Sequence, residues 1–210
     1  MTKTLIAFFS RADENFFGGS MKYVDVGNTE IVVGLMKDLI DADTFKIEMK
    51  KPYSASYMTC IDEAKKDLQA NARPELVSYP SSIDEYDTVI LGYPNYWGTI
   101  PMAVATFLEA YDFTGKTILP FCTNEGSGMG SSEKDIKKYA KGAEVKRGLS
   151  INGSRAGSSG VPVRMFVPVH QYVPDHQYAK RFPMTERSRS LKIPAPRLQD
   201  LRCPDMKSIL

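Results

Sequence analysis

Histidine is almost missing from this chain. His170 and His176 are the two that 210 positions hold, and no cysteine stands at metal-ligand spacing to either. That argues against a histidine-based nucleophile relay and against a structural zinc site. Cysteine is nearly as scarce: Cys60, Cys122 and Cys203 form no C-x-x-C pair. An odd count speaks against a disulfide framework and for a reducing compartment. Long apolar runs are absent as well. The run Leu5–Phe9 is too short for the core of a signal sequence or for a membrane span, so a cytoplasmic protein with no membrane partner is expected. Strong charge of one sign is also lacking, with 27 Lys+Arg against 25 Asp+Glu. The near balance hides an asymmetry, because residues 1–154 sum to −4 and residues 155–210 to +6. The basic charges are scattered among seven prolines, without a basic helix or an aromatic platform, so nucleic acid is not an expected partner.

What is present is alternation. Thr4–Phe9, Thr44–Glu48, Thr88–Gly92, Thr117–Cys122 and Glu144–Ile151 read as short strands. Between them, Asn28–Ala42, Tyr57–Ala70, Met102–Tyr111 and Ser132–Lys141 carry apolar residues at helical spacing. Pro101 stands at a helix start, and Ser131 or Ser132 is the expected N-cap of the last helix. Strand–helix alternation predicts an α/β fold, a doubly wound five-stranded parallel sheet of order 2-1-3-4-5 with helices on both faces. In such sheets ligands sit beyond the carboxyl ends of strands 1 and 3, where the winding reverses. The predicted boundaries are a domain over 1–158 and an atypical proline-rich basic tail over 159–210, in which 163–173 reads as an edge strand.

Three loops fall at that location. The first runs from Ser10 and Arg11 through a long insertion, Ala12–Val26, to Gly27, Asn28 and Thr29 at a helix start. Backbone N–H groups, two side-chain donors and the helix dipole make a cradle for one phosphate there. An ordinary N-cap is the competing reading. No Gly-Lys-Ser/Thr follows, so a nucleoside triphosphate is not expected. The second loop, Pro94, Asn95, Tyr96, Trp97 and Gly98, holds the chain's one tryptophan. Its rings either stack on a flat ligand or fill a gap beneath the loop. The third, Thr123, Asn124, Glu125, Gly126, Ser127 and Gly128, is polar and glycine-rich and suits the polar edge of the same ligand. Flat ring, single phosphate and polar ring edge together describe flavin mononucleotide (FMN). Cys122 beside this loop reads as a buried apolar residue rather than a reactive one.

At these residues the sequence resembles the flavodoxin-like FMN-binding flavoproteins. The segments that carry the likeness are FFSRADENFFGG, GNTE, NARPEL, YPNYWGTIPMAVATFLEAYDF, GKTILPFCTNEGSGMGSSEKDIKKYAKGA and INGSRAG, spanning about residues 3–158. The resemblance implies that Ser10, Asn28 and Thr29 hold the phosphate with Arg11 near it. It implies that Pro94–Gly98 flank the ring, by Tyr96 or by Trp97, and that Thr123, Asn124, Glu125, Gly126 and Gly128 line its other side. Phe16 and Phe17 anchor the insertion or belong to a lid; Tyr53 and Tyr57 close over the site or belong to the core or surface. The implied function is an oxidoreductase that passes electrons from a reduced nicotinamide or protein donor to a small acceptor such as a quinone. An electron carrier without a substrate of its own is the alternative; ordinary flavodoxins are strongly acidic, and the weak charge and longer first loop of this chain favour the enzyme. A receiver-type signalling module on the same fold would need an acidic pair after the first strand, where Ser10 and Arg11 stand. The tail departs from the family's closing helix, and a homodimer contact is one candidate cover for the sheet face this leaves.

Overall fold

The computed structural model describes residues 3–158 together with Val163 and Phe166. Chain contacts group Met1–Val173 as one unit and Pro174–Leu210 as another, and every described residue lies in the first. His170, His176, Cys203 and the rest of the tail apart from Val163 and Phe166 lie outside the described residues.

The predicted alternation folds as β1 (Thr4–Phe8), β2 (Asp13–Phe17), β3 (Ser20–Val24), α1 (Asn28–Lys37), β4 (Asp43–Lys46), α2 (Tyr57–Gln69), β5 (Thr88–Pro94), α3 (Met102–Glu109), β6 (Thr117–Asn124), α4 (Ser132–Tyr139), β7 (Glu144–Val145) and β8 (Leu149–Asn152), closing in a 3₁₀ turn over Gly153–Ser158. The main sheet runs β4-β1-β5-β6-β7, with β8 also paired to β6, and every pairing in it is parallel. This is the order 2-1-3-4-5. Its fifth strand comes in two pieces because the Gly148 amide leaves the ladder and donates to the Glu133 carboxylate of α4 at 2.6 Å.

Residues two apart in a strand share a face, and the core follows that period. Leu5, Ala7, Val89, Leu91, Tyr93 and Ile118 point to one side, where they join α3 and α4. Ile6, Phe8, Ile90 and Phe121 point to the other, where Val32, Val33 and Met36 of α1 cover them. Both faces of β1 and β5 are therefore apolar, as a central parallel strand requires. Val163 is fully buried in the α1-side cluster, and Phe166 packs against it. Both residues are helical, which corrects the edge strand expected from 163 onward at these two positions.

The insertion Ala12–Val26 is not an irregular loop. Phe17 and Ser20 flank a Gly18-Gly19 turn with φ of 52° and 97°, and β2 pairs antiparallel with β3. Two glycines with positive φ form the primed turn whose twist matches a hairpin. The hairpin is tied to the domain at both ends. The Glu14 N–H donates to the Ala55 carbonyl, the Tyr57 N–H donates to the Glu14 carboxylate, and the Gly18 N–H donates to Glu125.

Gly92 closes the packing at the centre of the sheet. A Cβ there would lie 2.3 Å from Cζ of the Phe121 ring, which is fully buried. The replacement Gly92→Ala should lower stability by about 1–3 kcal/mol, the cost of overpacking a filled core. Urea unfolding measures it, and an unchanged midpoint would show that the ring has room to move.

Candidate functional site

The carboxyl ends of β1, β5 and β6 open into a cavity of about 420 Å³. It is lined by Ser10, Arg11, Asn28 and Thr29 from the first loop, by Pro94, Asn95, Tyr96, Trp97 and Gly98 from the second, and by Thr123, Asn124 and Glu125 from the third. The three loops predicted to meet do meet. Gly27, Gly126 and Gly128 do not line the cavity. The wall instead includes Asn15 and Phe16 of the hairpin, Tyr57, Ile61 and Ala64 of α2, and Ser127.

The first loop is held by a close approach. A Cβ on Gly27 would sit 2.4 Å from the Arg11 carbonyl oxygen and 2.4 Å from Ser10 Oγ, so no other residue fits there unshifted. Gly27 is the N-cap of α1, and its side-chain-free position leaves the cap to Ser10, whose hydroxyl accepts the Glu30 N–H at 3.2 Å. The N–H groups of Asn28 and Thr29 precede any intrahelical acceptor and stand at the positive end of the helix dipole. The Asn28 amide lies close to the backbone of Gly153. Thr29 lines the cavity but is buried, and its Oγ1 shares a 2.9 Å hydrogen bond with Thr123 Oγ1.

The second loop turns on Tyr96 and Thr99, which exchange two backbone hydrogen bonds at 3.0 and 3.1 Å. Between them Trp97 and Gly98 both have positive φ, 54° and 79°. Glycine adopts this at no steric cost, whereas a tryptophan held there costs on the order of 1–2 kcal/mol. Trp97 remains 47% exposed. Its indole N–H donates to the Ile61 carbonyl at 2.7 Å, and Lys65 Nζ lies 4.7 Å from the ring centre. Tyr96 is packed differently, edge-on to Phe9 and tilted against Tyr53. Of the two rings, Trp97 is the more open.

Side chains that read as ligand contacts in the sequence are largely spent on shaping loops. Asn95 accepts the Gly98 N–H and donates to the Gly128 carbonyl. Asn124 Oδ1 accepts the N–H groups of both Gly126 and Gly128 at 3.0 Å, which removes those two donors from the ring edge. Glu125 binds the Ser154 N–H and hydroxyl as well as the Gly18 N–H, joining β6, the hairpin tip and the turn after β8. The third loop also locks to the second through the Ser131 N–H, which donates to the Gly98 carbonyl at 2.7 Å. Ser131 is the N-cap position of α4, but its hydroxyl goes to Asp135.

Tyr57 lines the cavity, and its ring stacks on Phe16 at 6.3 Å, so the hairpin and α2 close one wall together. Tyr53 does not line it; its hydroxyl donates to Asp67. Phe16 was expected as an anchor of the insertion or part of a lid, and the Gly18-Gly19 turn signal places Asn15 beside it in the hairpin.

Burial raises the pKa of two phenols and two thiols at or beside the site. It pushes the Tyr96 and Tyr57 phenols and the Cys60 thiol upward, each shift enlarged or opposed by smaller neighbouring charges. Cys122, fully buried, is pushed up to about 12 by the same cause. None of these four is a ready base or thiolate, so the cavity can position and polarise a bound group but offers no nucleophile from among them.

The buried Thr29–Thr123 pair gives a test of this architecture. Thr29→Val leaves the Thr123 hydroxyl buried and unpaired, and should cost about 1–3 kcal/mol, whereas the double replacement by Val should recover most of that loss. Denaturant midpoints of the single and double variants measure it; additive losses would mean that the two hydroxyls do not act as a pair.

The Flavodoxin family model matches residues 21–160, two thirds of the chain. No curated protein sequence matches it. Among solved structures, a candidate flavoprotein from Bacteroides uniformis is 27% identical with a TM-score of 0.61, covering 78% of this chain and 98% of its own. Another from Bacteroides eggerthii is 23% identical with a TM-score of 0.56, covering 78% and 99%. A flavoprotein from Lactobacillus acidophilus, solved in complex with FMN, is 18% identical with a TM-score of 0.54, covering 75% and 98%. Among the described residues no helix is long and apolar enough to cross a membrane. With its parallel sheet of order 2-1-3-4-5 and a family match over most of that sheet, the chain belongs to the flavodoxin family.

Proposed function

We propose that the cavity binds FMN and that the chain is an oxidoreductase, passing electrons from a reduced nicotinamide or protein donor to a small acceptor such as a quinone. One observation carries this reading: the N-terminus of α1 and the strained aromatic turn at Tyr96–Trp97 face one cavity. The residues fit the two ends of the molecule. Ser10, Asn28 and the N–H groups of Asn28 and Thr29 suit a terminal phosphate, and the close approach at Gly27 brings Ser10 against the start of α1. The open indole of Trp97 suits an isoalloxazine face. The FMN-bound Lactobacillus acidophilus flavoprotein shares the fold, which supports the same choice of cofactor.

When bound, the flavin supplies the hydride and single-electron chemistry. The protein's part is to place it. Asn95, Asn124 and Glu125 hold the surrounding turns rigid, and the Phe16–Tyr57 wall limits access of water from the hairpin side.

Trp97 is the chain's one tryptophan, so its emission reports the site alone. Titrating the cofactor-free protein with FMN should quench both the indole and the flavin emission. Asn28→Ala should weaken FMN by about 10-fold or more, the worth of a hydrogen bond to a charged group, and leave riboflavin nearly unchanged. Equal losses for the two would place the phosphate elsewhere, and an absence of any quenching would end the proposal. Steady-state oxidation of reduced nicotinamide by a quinone then separates enzyme from carrier: a carrier shows no turnover but is reduced rapidly by a protein reductase.

A further inference from the structure

Arg11 stands next to the phosphate cradle in sequence, but its guanidinium is held elsewhere. One terminal nitrogen donates to the Glu14 carbonyl at 2.6 Å, and the other donates to the Ser54 and Ala55 carbonyls, both at 2.7 Å. Those carbonyls belong to the hairpin and to the stretch that leads into α2. Ser54 and Ala55 lead directly into α2, whose Tyr57, Ile61 and Ala64 line the cavity and whose Ile61 carbonyl accepts the Trp97 indole N–H. The charge is felt on that side as well, where it lowers the pKa of Tyr57, Cys60 and Tyr96 against the effect of burial. The Nε atom is buried and has no hydrogen-bond partner.

Among the described residues no carboxylate forms an ion pair with Arg11. The nearby carboxylates bond to neutral donors instead: Glu14 accepts the Tyr57 N–H, Glu63 accepts the Ser54 N–H, and Asp13 accepts the Tyr23 hydroxyl. Arg11 lines the cavity while its terminal nitrogens are fixed by three carbonyls. A charge held in this way needs no reorganisation when the charge of its neighbour changes.

We infer that Arg11 is the residue that tunes the bound ring, a fixed cation on the ring side of the cavity that stabilises the reduced anionic flavin and so favours two-electron transfer. This rests on the FMN reading above. A hydride from a reduced nicotinamide brings two electrons and one proton; the ring gains one N–H and one negative charge, and the donor leaves as its oxidised cation. A neighbouring positive charge attracts that product and is indifferent to the neutral oxidised ring. The consequence is a higher midpoint potential than an acidic or uncharged wall would set, which suits a hydride-accepting oxidoreductase better than a low-potential carrier.

The full chain loaded with FMN tests the assignment in three measurements. Dye-equilibrated potentiometry should show that Arg11→Gln weakens binding of reduced relative to oxidised FMN tenfold or more, which is about 30 mV per tenfold for a two-electron couple. Arg11→Lys should restore part of the difference. The preference for FMN over riboflavin should stay within twofold in both variants. An unchanged midpoint with a collapsed phosphate preference would make Arg11 a phosphate ligand and overturn the inference. Because Arg11→Gln also gives up three backbone contacts, the third measurement uses the unaltered protein. Its reduced flavin should remain anionic at the pH where free reduced FMN is half protonated, as read from its absorption spectrum. A neutral reduced flavin at that pH would equally overturn the inference, whereas failure of the unaltered chain to bind FMN would instead remove the reading on which it rests.

Discussion

The site depends on a contact that only a missing side chain allows. At Gly27 the incoming chain presses against the Arg11 carbonyl and the Ser10 hydroxyl at distances no Cβ could share. That approach brings the end of β1 against the start of α1. It sets Ser10 to cap Glu30, leaves two helix N–H groups facing outward, and launches the chain through Arg11 into the hairpin. The start of α1, the Arg11 side chain and the hairpin wall all begin from this one junction.

The polar side chains around the cavity follow a common logic. Loops at the end of a parallel sheet carry backbone groups with no ladder partner, and buried ones must be satisfied somehow. Asn95, Asn124 and Glu125 do this for the second and third loops. Their hydrogen-bonding capacity is thereby largely used within the protein. The start of α1, ring faces and Arg11 complete the wall. On the reading proposed above, that set suits an anion at one end and a flat ring at the other, and it contains no buried thiol or phenol poised to lose its proton.

Periodicity made much of this legible in advance. Apolar runs of four to six residues, alternating with helical stripes, carried the parallel sheet and its order, and with it the carboxyl edge where three loops converge. Boundaries were less legible. The helix from Asn28 stops at Lys37 instead of Ala42, in a turn where Asp38 occupies the C-cap and carboxylates are unfavourable to a helix end. The fifth strand breaks at Gly148 because a glutamate from a different element takes its amide. The hairpin was within reach, since Gly18-Gly19 is a recognised turn signal, but its short strands have no buried face of their own to show as alternation.

The sequence by itself determined the sheet, the helices on its two faces and the residue types that gather at its edge. Those follow from local periodicity and from the conformational needs of glycine and proline, which act along the chain. Only the tertiary structure decided which atoms of those residues are free. The Thr29 hydroxyl pairs with Thr123, the Gly126 and Gly128 N–H groups go to Asn124, and Arg11 was carried to the Ser54 and Ala55 carbonyls. Hydrogen-bond partners far apart in sequence are chosen by packing and by the cost of leaving a buried polar group unpaired, and no local pattern encodes that choice.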